Sequence, residues 1–385
     1  MRLLRLVFAL AAFAALGTVS APMASAGAAA GADRALQREA SRLLRTPNGP
    51  PGIAITVQRG KRRTFLNGGR AIAGTRRRIR STDHMRIAST AKAFSGAVAL
   101  RLVERGQLKL SDTIGQRVPS LPKAWQNVTL RQLLNHTSGL PDYIESPETI
   151  ARLQSDPRGY IPPEDILDGA AKEPLRFPSG SRYQYSNSDN IVVGLMAQSA
   201  TARSYKRLLG RLVFGPLRLR RTSLPSGFLL PGPYIHGYDI VPGEAPQDVS
   251  TFLSMSGPWA SGGIASTPGE LHQFMRAYAG TKLLGRRIRR QQRRFVRNAS
   301  SEPLGPGRND AGLALFRYRM KCGTVYGHTG NLPGYTQFAA ASRGGTRSVA
   351  VSVNIQTNPE AGDPAVFKRL RKVYGLASCA ALARD

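Results

Sequence analysis

The sequence predicts an α+β protein: a mainly antiparallel sheet, assembled from both ends of the chain and flanked by helices, with an inserted and mostly helical lobe. Three observations lead there. Strand-like runs at 52–58 and 63–66 stand near the start, and four more, at 312–320, 323–328, 335–342 and 347–355, follow one another near the end. The middle third is patterned as helix. Residues 85–106 (MRIASTAKAFSGAVALRLVERG) are apolar or small at nearly every position from 91 to 100, and a helix apolar on all sides has to lie inside a sizeable core.

Taken in order, residues 1–26 read as an export signal: Arg2 and Arg5 precede an apolar run at 6–19 and the small residues Ala24, Ser25 and Ala26 of a cleavage site. That run is short for a bilayer span, so an uncleaved anchor is the weaker alternative, and no later segment is long and apolar enough to cross. Residues 27–385 then form one domain with a sheet lobe (about 30–88 and 260–385) and a helical lobe (about 89–259). A helix at 35–44 opens it, followed by the first two strands and the buried helix. A short helix at 128–135 ends in HTSGLPDY (136–143), a turn rich in Gly, Pro and Asp. Helical patterns follow at 163–171, 187–201 and 205–212, and residues 262–268 form a strand running into a helix with Pro268 at its first position. The four late strands are joined by short loops such as 343–345, and a helix at 363–381 closes the chain.

Composition narrows the class. With 41% hydrophobic residues in 385 the chain is globular and able to bury a large core. Its formal charge of +32 is carried mostly by Arg, in runs at 76–80 and 286–297. Arginine runs raise a nucleic-acid reading, but an export signal, the lack of a recognisable nucleic-acid module and the lack of aromatics among the arginines count against it. Solvated helix faces, or contact with an anionic cell wall, account for the charge better. The two cysteines, Cys322 and Cys379, fit an exported protein with one disulfide that would pin the C-terminus to the body, two free thiols being the alternative.

Several polar stations carry chemistry. Ser89 and Lys92 lie three residues apart at the start of the buried helix, which places both side chains on one face. A lysine desolvated there can lose its charge and act as base for the serine, and the free N–H groups of the helix start can steady an oxyanion. An N-capping serine followed by a solvated lysine is the alternative. The second Ser-x-x-Lys, at 120–123, contains Pro122 and reads as chance. The loop 177–187 delivers Tyr185, able to carry protons, and Asn187, able to hold a substrate amide or to cap the helix that follows. His328, Thr329 and Gly330 end a strand: glycine lets a ligand approach the strand edge, and His328 with Thr329 can meet a carboxylate, although such a histidine is more often simply packed.

In this order, Ser89-x-x-Lys92, Tyr185-Ser186-Asn187 and His328-Thr329-Gly330 resemble the three motifs of the serine β-lactamase and penicillin-binding protein superfamily. The resemblance extends over 136–143, 180–190, 259–267 and 322–335, and is greatest to the secreted D-alanyl-D-alanine carboxypeptidases of actinomycetes, which also carry His in the third motif. It implies the β-lactamase/transpeptidase-like α+β fold with the active site between the lobes. Ser89 would be the acylated nucleophile, Lys92 its proton acceptor and Tyr185 a relay to the leaving amine. Asn187 would bind the acyl-side amide, Thr329 and His328 the terminal carboxylate, and the backbone N–H groups of Ser89 and Asn331 the oxyanion. Trp259 and Gly330 would lie along the substrate. An arginine on the preceding strand would assist with the carboxylate, and Arg317, which shares a strand face with Arg319, is the candidate.

The residues exclude other hydrolases: there is no Gly-x-Ser-x-Gly elbow, no His-Glu-x-x-His, and the five histidines are scattered. The expectation is therefore a secreted, cell-wall-associated, monomeric and penicillin-sensitive serine carboxypeptidase without metal or organic cofactor. Its ligands would be peptidoglycan stem peptides and β-lactams, with anionic wall polymers as further partners, and neither nucleic acid nor a membrane span is expected. A β-lactamase or small-ester esterase of the same fold is the alternative, and a non-catalytic penicillin-recognising wall protein the second.

Overall fold

The computed structural model describes residues 23–383. The expected export signal therefore lies outside the described residues, apart from 23–26, which open helix α1 (Met23–Leu44). No helix among the described residues is long and apolar enough to cross a membrane.

The centre is an eight-stranded antiparallel sheet of β1 (Gly52–Arg59), β2 (Arg62–Gly69), β3 (Val296–Arg297), β4 (Arg308–Ala311), β5 (Phe316–Met320), β6 (Gly323–Leu332), β7 (Tyr335–Ala341) and β8 (Arg347–Val353), in spatial order β2-β1-β8-β7-β6-β5-β4-β3. The early hairpin joins the late strands through β1 against β8, with Ile53 opposite Val353 and Val57 opposite Val349. Ile53, Ile55, Val57, Phe338, Val349 and Val351 share one sheet face with Leu36 and Leu43 of α1 and with Leu370 and Tyr374 of the last helix, α5 (Pro364–Leu382). Ala54, Ala339, Ala341 and Ala350 point the other way, onto Phe274 and Tyr278 of α4 (Pro268–Ala279) and the helical lobe. Alternation along each strand thus feeds two cores, and each large side chain fully buried in them contributes about 1.5–3 kcal/mol.

Helix α2 (Ala91–Glu104) is the axis of the second core, with every residue from 91 to 100 buried. Phe94 stacks on Phe274, and Ser95 accepts from Asn190 of α3 (Asn187–Ser199) at 2.7 Å. Gly96 is required here, because a Cβ would stand 2.2 Å from Ala314 Cβ.

Several boundaries differ from the sequence reading. The helix does not begin at residue 85: Met85–Arg86 pairs as a short strand with Ala265–Ser266, holding the buried Arg86 where its Nε donates to Ser250 O at 3.0 Å. A 3₁₀ turn, Ala88–Thr90, then leads into α2. Residues 312–315 turn rather than extend, and β5 starts at Phe316. Strands β3 and β4 were not expected. The sequence of β4, RNDA, shows no apolar alternation, yet Asp310 is fully buried against Arg317 and Arg319. The helix expected at 205–212 is Tyr205–Leu209 continued by a π-helical turn, and that expected at 163–171 is a 3₁₀ turn followed by Asp168–Ala171.

Candidate active site

Ser89 sits in the 3₁₀ turn ahead of α2, partly exposed, while residues 85–88 and 90 are buried. The preceding Ala88 is held at φ 50°, a left-handed conformation that costs a residue with a Cβ about 1–3 kcal/mol and that the surrounding packing maintains. β6 runs directly against this turn. A Cβ on Gly330 would lie 2.9 Å from Ser89 N and 2.6 Å from Ile87 O, so only glycine fits and the strand backbone becomes the wall beside the serine.

Lys92, one turn further, is fully buried, and its Nζ donates to Ser89 Oγ at 3.0 Å, Asn187 Oδ1 at 2.6 Å and Ser261 O at 2.9 Å. Burial lowers its pKa to about 7, against the opposing pull of Asp142, Glu302 and Asp189. Tyr185 packs its ring 5.0 Å from the ammonium. Its hydroxyl makes no hydrogen bond, and burial raises its pKa well above 10, with the neighbouring Ser89 hydroxyl pulling the other way. Asn187 opens α3, and both its backbone N–H (2.9 Å) and its Nδ2 (2.8 Å) donate to Asp142 Oδ2. Behind them His136 Nδ1 meets Asp189 Oδ2 at 2.8 Å, and Ser138 donates to Asp189 Oδ1 at 2.5 Å. Burial drives His136 to a pKa of about 3 and raises Asp189, so the imidazole is neutral at physiological pH.

In front of Ser89 opens a cavity of about 200 Å³, lined among others by Asn187, Tyr143, Ile144, Asn331 and Gln356. Ser89, Lys92, Tyr185, Asn187, Gly330 and Asn331 therefore converge.

Four expected contributors do not line this cavity. His328 is fully buried with Nδ1 2.6 Å from Thr329 O, and burial lowers its pKa to about 3, so it carries no positive charge for a carboxylate. Thr329 is equally buried and donates to Pro303 O at 2.6 Å. Trp259 does not line the cavity: it packs on Tyr205, 4.9 Å between rings, in space left by Gly194, while Pro258, Ser261 and Gly262 form the cavity wall. Arg317 does share a face with Arg319, but both pair with Asp310, and Arg317 stacks on Phe295 at 4.4 Å.

Sequence reasoning missed Asp142, His136, Asp189 and Glu302. The first two lie in HTSGLPDY, which was legible only as a turn, because a Pro-Asp step in a turn is ordinary. Glu302 is exposed, yet partial burial and the nearby Asp142 raise its pKa to about 7, and nothing around it in sequence announces that. Cys322 and Cys379 form a disulfide with Cα atoms 5.5 Å apart, tying the β5–β6 turn to α5.

A family model described as Beta-lactamase matches residues 40–371. A solved D-stereospecific amidohydrolase from Streptomyces sp. superposes with a TM-score of 0.76 at 26% identity, covering 88% of this chain and 98% of that one. Among curated proteins, penicillin-binding protein 4* of Bacillus subtilis is 25% identical over 274 residues, 68% of this chain and 58% of its own length. Protein flp of Staphylococcus aureus is 29% identical over 180 residues, 45% of this chain, and the match spans only 34% of that relative's length. The family model over residues 40–371 and the shared fold make this chain a member of the beta-lactamase family of serine hydrolases, the group that includes the penicillin-binding proteins.

Proposed function

We propose that the protein is a serine amidohydrolase that forms an acyl-enzyme at Ser89 and acts on an amide whose acyl side is a D-amino-acid residue. The observation that carries this is the buried Lys92 Nζ at 3.0 Å from Ser89 Oγ, with its other hydrogens held by Asn187 Oδ1 and Ser261 O. Neutral Lys92 takes the serine proton, Oγ attacks the carbonyl carbon, and the oxyanion forms toward the backbone N–H groups of Ser89 and Asn331. The C–N bond then breaks, and the leaving amine takes a proton from the Lys92 ammonium, with the unpartnered Tyr185 hydroxyl as the group available to relay it. Water, activated by the same base, hydrolyses the ester. The D-configuration is supported by the stereospecificity of the Streptomyces relative.

Cleavage of the terminal D-Ala of peptidoglycan stem peptides is the narrower reading, supported by the order of the three motifs and by the penicillin-binding relative. It needs a cation for the substrate carboxylate. Of the groups expected in that role, Arg317 is paired with Asp310 and His328 is fully buried. One preparation should be offered a D-amino-acid p-nitroanilide, a diacyl-Lys-D-Ala-D-Ala peptide, a cephalosporin and a short-chain ester, with Ser89→Ala as control. The anilide is expected to turn over faster than its L-isomer, and a fluorescent penicillin to label only the parent. Labelling that persists in Ser89→Ala removes the serine from its role, and faster turnover of the ester than of either amide substrate would make the protein an esterase.

A further inference from the structure

We propose that Asp142 is a positioning residue for acyl transfer: its carboxylate fixes which way the Asn187 amide points, and the amide in turn aims the Lys92 lone pair at Ser89. This rests on the Ser89 acyl-enzyme reading and adds to it a residue that none of the three motifs contains. The argument is one of donors and acceptors. Asp142 Oδ2 takes the backbone N–H of Asn187 at 2.9 Å and its Nδ2 at 2.8 Å, while Oδ1 accepts from Ile144 N at 3.3 Å. A carboxylate only accepts, so the amide nitrogen is held at Asp142 and the amide oxygen is left for Lys92, at 2.6 Å. Ser261 O, at 2.9 Å, also only accepts. An ammonium fills all three acceptors around Nζ. A neutral amine has two hydrogens, and both stay on the two groups that have no proton of their own. Its lone pair is left facing Ser89 Oγ at 3.0 Å, whose hydroxyl has a proton to give.

Were the amide reversed, its NH₂ would donate into that lone pair and draw the base off the serine. Nothing else near Asn187 blocks reversal as firmly as a bare carboxylate does. The segment bearing Asp142 is also fastened without the carboxylate: Ser188 Oγ donates to Pro141 O at 2.7 Å and accepts from Tyr143 N at 2.9 Å. Substituting the side chain therefore leaves the backbone placed. The charge has a second effect. Around Lys92, the carboxylates of Asp142, Glu302 and Asp189 favour the ammonium, Asp142 from about pH 6 upward because burial raises its own pKa to about 6, while His136 and His328, which also face it, are neutral. Removing the Asp142 charge lowers the pKa of Lys92, so the acid limb of acylation moves to lower pH.

The test is the second-order rate at which a fluorescent penicillin labels the full chain, followed against pH for wild type, Asp142→Asn, Asn187→Ala and the double variant. Thermal unfolding checks that each is folded, and Asp142→Ser, which keeps a hydroxyl acceptor for the start of α3, stands in if Asp142→Asn does not fold. The expected result is labelling slowed about 10–100-fold in Asp142→Asn, the size of loss seen when the outer partners that orient metal-ligating side chains are removed. Its acid limb should lie below that of wild type, and the double variant should be no slower than Asn187→Ala alone. A wild-type rate with an unmoved limb in Asp142→Asn, or losses that multiply in the double variant, overturns the proposal while the Ser89 reading stands. A wild type that no penicillin labels at Ser89 removes that reading first, and this one with it.

Discussion

Lys92 decides the pH behaviour of the site. A base must be neutral to take a proton, and burial places its pKa at about 7, so acylation should rise with pH through about 7. It should then stay level through the alkaline range, since Tyr185 is raised well above 10. His328, neutral from a pKa of about 3 upward, contributes no limb near neutrality, and His328→Gln should leave the midpoint where it is. Stopped-flow labelling between pH 5 and pH 10 measures this, and a rate that falls as pH rises through 7 would return the titration to another group. Ser89 and Lys92 were legible in sequence because their relation is local, two positions one turn apart on a helix whose burial shows in its own composition. The role given to His328 was not, because whether a strand residue faces a cleft or a core depends on what packs over it. Here that is Phe316, 5.0 Å away between rings, and Pro303, which occupies Thr329.

Among the elements, those with clean periodicity or caps were readable. The last helix starts at Pro364 with Asp363 as its cap, accepting from Ala365 N at 2.8 Å, and α4 starts at Pro268 with Thr267 before it. Strand β4 was hidden because its buried residues include Asn309 and Asp310, whose burial is made tolerable by the backbone carbonyls of Pro306 and Gly307 in the preceding turn and by Arg317 and Arg319 on the next strand. The disulfide acts at this scale. It closes a separation of 57 residues and holds α5 to the turn that launches the strand beside Ser89. For a loop of that size the chain-entropy account gives about 4 kcal/mol. The double substitution Cys322→Ser with Cys379→Ser should therefore lower the urea midpoint and the melting temperature measurably, while penicillin labelling at low temperature is retained. A midpoint within error of the parent would show the helix docked by its apolar face alone, through Val366, Leu370 and Tyr374.

For the molecule as a whole, the formal charge of +32 is unevenly spread. Arg34, Arg38 and Arg42 are exposed along one stripe of α1 with Arg45 just past its end, whereas Asp142, Glu145 and Glu360 all act on Glu302 near the cleft. A stripe of that kind should hold the protein on phosphate-rich polymer at low ionic strength and release it as salt shortens the Debye length to about 8–10 Å. Reversing the four arginines to Glu should lower the eluting salt concentration without slowing penicillin labelling. Elution unchanged by the reversal would spread the attraction over the remaining basic surface. The same helix has another consequence. α1 and α5 run antiparallel: Asn48 donates to Asp363 at 3.3 Å, Arg369 meets Glu39 at 3.0 Å, and the buried Arg59 bridges Asp33 and Ala380 O. Residues near Asp33 in α1 and near Ala380 in α5 thus lie side by side on the sheet face turned away from Ser89. A cargo or tether fused at either end would hang clear of incoming substrate, and a short linker between them would give a circular permutant whose new ends could be cut into a surface turn.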